Sequence, residues 1–166
     1  MMQRRLDVGS KEQIDKLEDV QRRATKLIPG FYELEYADRL RKLKLPTLAY
    51  RRARGDMIEV YKMLSPQNGY DQTITPILIR NPRQSRWSHS KQIYHQRANK
   101  NGLLHSFTRR VQDTWNHLPE QVVSAKNEKG EETLLEFEKM LDRHWSDQDI
   151  LYENYRASIT RKKFTK

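Results

Sequence analysis

Apolar residues recur at helical spacing in several stretches of this chain, and the alternation of a half-buried strand is almost absent. Ile14, Leu17, Ala24 and Leu27, with Val20 or Gln21 between them, predict a helix over Lys11–Leu27 that Ser10 caps and Pro29-Gly30 stops. A shorter helix is predicted over Tyr36–Leu43, with Leu40 and Leu43 inward and Pro46 breaking it. Thr47 stands where it can cap a third helix over Leu48–Leu64, whose core face would be Leu48, Ile58, Tyr61 and Leu64. Gly55 interrupts that helix at a cost of ~1 kcal/mol against alanine, which points to close packing or a kink.

Further along, Phe107, Val111 and Trp115 recur every fourth residue in a helix that starts at Ser106 or Thr108 and runs to about His117. Pro119–Ala125 reads as one short helical turn and Lys126–Gly130 as a polar loop. The last clear helix is predicted over Glu131–Trp145, with Leu134, Phe137, Leu141 and Trp145 on one face. Ser65-Pro66-Gln67-Asn68-Gly69 is a turn cluster, Ile77-Leu78-Ile79 and Gln92-Ile93-Tyr94 are candidate short strands, and residues 146–166 read as weakly ordered. The expected fold class is therefore mostly α: a small helical domain with a long, basic, poorly ordered middle segment and two short strands.

Charge changes this picture in the middle of the chain. The net charge of +10 is uneven: residues 61–120 hold 9 basic and 3 acidic side chains, whereas residues 121–166 hold 9 of each. Between Asp71 and Asp113 there is no acid at all, while Arg80, Arg83, Arg86, Lys91, Arg97, Lys100, Arg109 and Arg110 all fall there. Solubility alone is served by mixed signs. A single-sign stretch containing Trp87, Tyr94 and Phe107 suits a polyanion, whose phosphates take the charges and whose bases stack on rings. Arg22, Arg23 and Lys26 form a second basic group on the first helix, and Arg51, Arg52 and Arg54 a third on the helix after Thr47, both diluted by nearby acids.

The remaining composition mostly excludes. A hydrophobic fraction of 36% allows a modest core. There is no cysteine, hence no disulfide and no thiolate metal site, which fits an intracellular chain, nuclear or cytoplasmic. No apolar run approaches the ~18 residues of a membrane span, and Met1–Gly9 contains no apolar signal core. Tyr36-Ala37-Asp38 is like part of a polymerase carboxylate motif, but Arg39 follows where two-metal chemistry needs another acid, so the stretch reads as a helix start. Arg54-Gly55-Asp56 matches an adhesion tripeptide by chance, inside a predicted helix. His89, His95 and His105 have no cysteine or neighbouring acid to complete a metal site and read as solvated or phosphate-facing. There is no glycine-rich phosphate loop and no G-x-S-x-G elbow. No metal or other cofactor is expected.

Taken in order, several segments form a string. It opens with Leu17-Glu18-Asp19-Val20-Gln21-Arg22-Arg23-Ala24-Thr25-Lys26-Leu27-Ile28 and continues with Tyr36-Ala37-Asp38-Arg39-Leu40-Arg41-Lys42-Leu43-Lys44-Leu45-Pro46-Thr47-Leu48. Tyr50-Arg51-Arg52-Ala53-Arg54-Gly55-Asp56-Met57-Ile58-Glu59-Val60-Tyr61-Lys62-Met63-Leu64 follows, then Arg109-Arg110-Val111-Gln112-Asp113-Thr114-Trp115-Asn116-His117-Leu118-Pro119, Val122-Val123-Ser124-Ala125, Phe137 and Leu141-Asp142-Arg143-His144-Trp145. The string, over roughly residues 13–147, resembles the C-terminal part of the reverse transcriptase of jockey-like non-long-terminal-repeat retrotransposons.

The resemblance implies a thumb-like and post-polymerase region, with the family's endonuclease, fingers and palm upstream. It carries over no catalytic residue, because the polymerase carboxylates are not in this string. Met1–Gly9 would be a leader, new to a truncated copy, and the segment after Trp145 matches nothing in the family. The expected segments are a leader over 1–9, a thumb-like helical segment over 10–66, a basic loop-rich segment over 67–105, a C-terminal helical segment over 106–147 and a polar, basic tail over 148–166. The expected partners are RNA or an RNA–DNA hybrid, gripped without sequence preference, and a palm-bearing polymerase chain; no membrane is expected. Two other readings are an inert relic of a decayed element and a helical protein–protein adaptor using the apolar faces near Phe137 and Trp145.

Overall fold

The computed structural model describes residues 11–65, 78, 80–81, 89–94 and 107–159. It is mostly helical. Six α-helices lie among the described residues: α1 (Lys11–Lys26), α2 (Tyr36–Leu43), α3 (Leu48–Leu64), α4 (Phe107–Asn116), α5 (Glu120–Val123) and α6 (Leu134–His144). A 3₁₀ turn, Asp149–Leu151, follows them. None of these helices is long and apolar enough to cross a membrane. The described residues hold no strand. Gln92-Ile93-Tyr94 contributes a single antiparallel bridge, Arg80 to Ile93, beside an Asn81 N–H that donates to the Gln92 carbonyl at 2.9 Å. The strand expected at Ile77–Ile79 lies largely outside the described residues, as does the Ser10 cap.

The chain divides into two compact units, Met1–Arg52 with Asp147–Thr160, and Ala53–Ser146 with Arg161–Lys166. In the first, α1 packs on α2. The turn between them passes through Gly30 at φ 81°, where a residue with a Cβ would be strained. Helix α2 ends as Lys44 enters the left-handed region (φ 53°) and Leu45 N–H closes back on the Leu40 carbonyl at 3.0 Å, with Pro46 next. Thr47 caps α3 as expected, its hydroxyl oxygen accepting from Tyr50 N–H at 3.2 Å.

The inward face of α1 is not the apolar one expected. Glu18 is wholly buried and Thr25 nearly so, whereas Leu17, Val20 and Leu27 are 50%, 59% and 85% exposed. The interior against α1 explains this, because it is full of donors. Glu18 accepts from the Tyr36 hydroxyl at 2.5 Å and from Leu48 N–H, the first amide of α3, at 3.1 Å. Buried Arg39 donates to the Thr25 hydroxyl at 3.2 Å and to the Leu34 carbonyl. Buried donors left without acceptors cost more than exposed leucines, so the polar edge turns in.

The segment after Trp145, expected to be weakly ordered, is structured from 147 to 159. Ile150 is buried, and Thr47 holds the turn by its N–H to the Leu151 carbonyl (2.9 Å) and its hydroxyl to the Ile150 carbonyl (2.5 Å). Arg156 grips Asp15 with two bonds of 2.9 Å, and Arg41 pairs with Glu153. Residues 160–166 lie outside the described set.

The second unit has an apolar core. Tyr61 stacks on Phe137 with ring centroids 4.3 Å apart, and Trp115 leans on the same Phe137. Val60, Val111, Val123, Leu141 and Trp145 are buried in the same unit. On α4 the expected Val111 and Trp115 point inward. On α3 Tyr61 and Leu64 are buried as expected and Met57 and Val60 join them, while Leu48 and Ile58 are only half-buried. A Cβ built on Gly55 would meet nothing within 4 Å, so close packing does not explain that glycine. Helix α6 starts at Leu134, three residues later than expected. Thr133 caps it by accepting from Glu136 N–H, and the preceding Glu132 is held in a bridge to Lys126. Phe137 and Trp145, the faces assigned to the adaptor reading, are core residues of this unit.

Candidate nucleic-acid interface

Residues 89–94, inside the acid-free window, are clamped onto α4 and α5. Asn116, at the end of α4, holds Ile93 from both sides, its carbonyl oxygen accepting from Ile93 N–H (3.0 Å) and its amide donating to the Ile93 carbonyl (2.9 Å). The Trp115 indole N–H donates to the Lys91 carbonyl at 2.8 Å. Glu120, in the first turn of α5, accepts from both the amide and the hydroxyl of Ser90 at 2.7 and 2.8 Å. His89 is buried, its Nε2 3.0 Å from the Trp115 carbonyl and its ring edge-on to the indole at 5.7 Å. The solvated or phosphate-facing role expected for His89 is therefore corrected: it is a packing residue. His95 and His105 lie outside the described residues.

The clamp sorts the cations of the window. Arg80 is exposed and donates to the Leu64 carbonyl, and the Tyr94 ring is 54% exposed. Lys91 turns inward. Its side chain is 12% exposed, and its ammonium pairs with Glu132, donates to the Val123 carbonyl at 2.9 Å and lies 5.0 Å from the Tyr61 ring centre. Arg110 makes two bonds to Asp56, at 2.6 and 2.8 Å. Arg83, Arg86, Trp87, Arg97 and Lys100 lie outside the described residues, as does the side chain of Arg109.

The two secondary groups divide in the same way. Arg23, Lys26 and Arg51 are exposed, with the Lys26 ammonium over the exposed Tyr32 ring at 4.6 Å. Arg22 is half-buried, pairs with Asp19 and lies near the rings of Tyr36 and Tyr155. Arg52 is half-buried. Arg54 is held by Asp142 at 2.6 and 3.0 Å and by Glu138 at 3.1 Å. Asp142 accepting those bonds, against some desolvation, raises the Arg54 pKa further above its ordinary value.

The Tyr36-Ala37-Asp38 stretch opens α2 as read from the sequence. Asp38 is exposed and pairs with Arg41 at 2.8 Å, while burial and the bond to Glu18 push the Tyr36 hydroxyl above the usual tyrosine range. Among the described residues no three histidines, aspartates or glutamates gather as a metal site would need. Asn116 and Glu120 were not legible as clamps, because nothing in their local spacing points to residues 89–94. A buried tryptophan's need for an acceptor was the one available signal. Compared with known proteins, the chain matches no family model, no curated protein and no solved structure.

Proposed function

We propose that this chain is a non-catalytic nucleic-acid-binding piece of a retrotransposon-type reverse transcriptase, corresponding to the thumb and post-polymerase region, and that it grips the backbone of RNA or an RNA–DNA hybrid without reading sequence. The observation that carries the binding is the stretch between Asp71 and Asp113, with eight lysines or arginines and no acid. Phosphate contact needs cations in excess over local carboxylates, and this is the part of the chain where that excess is concentrated. The retrotransposon assignment rests on the ordered string of segments from Leu17 to Trp145. The clamp on residues 89–94 supports the reading, since it sets Arg80 and the Tyr94 ring on a fixed scaffold. With Lys91 and Arg110 engaged by carboxylates, the binding set is Arg80, Arg83, Arg86, Arg97, Lys100 and Arg109, with Trp87 or Tyr94 stacking on bases. A palm-bearing polymerase chain is the natural partner under this assignment.

A titration of labelled single-stranded RNA at several salt concentrations tests it. Log affinity falls with log salt at a slope of ~0.7 per neutralised phosphate. Changing Arg83, Arg86 and Arg97 together to Gln flattens that slope by up to ~2 units and weakens all sequences alike. Trp87→Ala lowers affinity by ~1–3 kcal/mol with little change of slope. A triple variant that keeps both the affinity and the slope of the wild type sinks the reading.

A further inference from the structure

Helix α1 carries its apolar edge on the outside. Leu17, Val20, Ala24 and Leu27 are all exposed, while Glu18 and Thr25 occupy the buried edge of the same helix. The four outward residues recur at three- and four-residue intervals, the a and d positions of two heptads. At the 3.6-residue period Leu17, Val20 and Ala24 fall within an arc of about 60° and span about 10 Å along the axis, and Leu27 follows in the turn that closes the helix. Three of the exposed large apolar side chains among the described residues belong to this one stripe. Scattered exposed leucines need no explanation, but a register of them along one helix edge marks a surface that pairs.

The borders of the stripe say what it pairs with. Lys16 and Arg23, seven residues apart, run along one side in the position that flanks a heptad seam. Among the described residues Lys16 pairs with Glu12, at 2.7 Å, in a pair more than 70% exposed on both sides, which adds little. Arg23 donates to the backbone carbonyl of Asp19 at 3.3 Å, and the Asp19 carboxylate goes to Arg22. The opposite border offers the uncharged Gln21, with the equally uncharged Ile28 just past the helix end. A second copy of this chain complements that badly. Antiparallel pairing of two stripes sets the Lys16 and Arg23 borders against each other, and parallel pairing sets them against Gln21 and Ile28 with no gain. Nucleic acid can meet the cations but leaves the leucines uncovered.

We propose that the outer edge of α1 docks an amphipathic helix of another protein, one with leucine or isoleucine at its a and d positions and glutamate or aspartate along the border that meets Lys16 and Arg23. A contact of two heptads is small and suits a transient complex. This inference does not depend on nucleic-acid binding.

The probe is a three-heptad synthetic helix with Leu at a and d and Glu at e and g, beside a twin with Lys at e and g. Each is fluorescently labelled, used below the concentration at which it self-associates, and titrated with the full chain. The Glu helix binds, and the Lys twin binds at least tenfold more weakly. Replacing Leu17, Val20 and Leu27 together by Ser abolishes binding and leaves the thermal melt in place, because those side chains are exposed. A second variant, Lys16→Glu with Arg23→Glu, reverses the preference between the two helices whatever the serine variant does to folding. Failure of the Glu helix to bind, equal binding of the two helices, or no reversal in the charge variant overturns the proposal. So does sedimentation showing a wild-type dimer that the serine variant lacks, since the stripe would then belong to a second copy.

Discussion

Burial decides the protonation of His89. Its Nδ1 accepts from Lys91 N–H at 3.2 Å, which leaves the proton on Nε2 facing the Trp115 carbonyl at 3.0 Å. That arrangement suits the neutral ring alone, because a proton on Nδ1 would oppose the Lys91 amide. Desolvation holds the His89 pKa below its ordinary value, against the pull of the Trp115 carbonyl and the Glu120 carboxylate, and the Lys91 ammonium adds to the lowering. The unfolded chain therefore takes up this proton at a higher pH than the folded chain does. Stability from the neutral ring is complete above the ordinary histidine pKa of ~6.5 and is lost as pH falls through and below it. The melting temperature of the wild type is expected to drop between neutral and mildly acid pH. His89→Gln, which has nothing to titrate, drops less over the same range, although it starts lower. Parallel curves for the two proteins would place the acid sensitivity elsewhere.

Helix existence and helix bounds were largely legible because their causes are local. Pro29-Gly30, Pro46, Thr47 and Pro119 act within a few residues of themselves, and α2 and α3 run over the residues predicted for them. Which edge of a helix turns inward is decided by what lies opposite, and that is not local. For α1 the opposing groups are the Tyr36 hydroxyl, the first amide of α3 and the Arg39 guanidinium, and no periodicity of α1 contains them. The same limit hid Met57 and Val60 on the core face of α3 and the anchoring of residues 147–159, whose contact with Thr47 spans about a hundred residues of sequence. If Glu18 is the acceptor that turns α1, Glu18→Ala strands the Tyr36 hydroxyl and the Leu48 amide inside, at ~1–3 kcal/mol. Glu18→Gln retains an acceptor oxygen and costs less. Chemical denaturation of the two variants checks this, and an Ala variant as stable as the wild type removes Glu18 from that role.

At the scale of the whole molecule, the excess of positive charge was legible and its distribution was not. Composition gives +10 and concentrates it in the middle third. It cannot show that Lys91 meets Glu132, that Arg110 meets Asp56, or that Arg54 meets Asp142, because these partners stand 41, 54 and 88 residues apart. Folding thus engages Lys91, Arg110 and Arg54 in closing the second unit, and under the proposed function only the remaining basic residues meet the strand, a split that can be measured. Lys91→Gln frees the Glu132 carboxylate and the Val123 carbonyl. Arg110→Gln frees Asp56, whose side chain is only 14% exposed. Each loses charge-assisted bonds that are shielded from water, so each is expected to lower stability by ~1–3 kcal/mol. Neither neutralises a phosphate, so at a temperature where the variants stay folded the salt slope of RNA binding stays at its wild-type value. The Arg83, Arg86 and Arg97 triple variant behaves the opposite way in binding, with its slope flattened. The split fails if Lys91→Gln or Arg110→Gln flattens the slope by ~0.7 while leaving the melt unchanged, for that side chain would then be leaving its carboxylate to meet the strand.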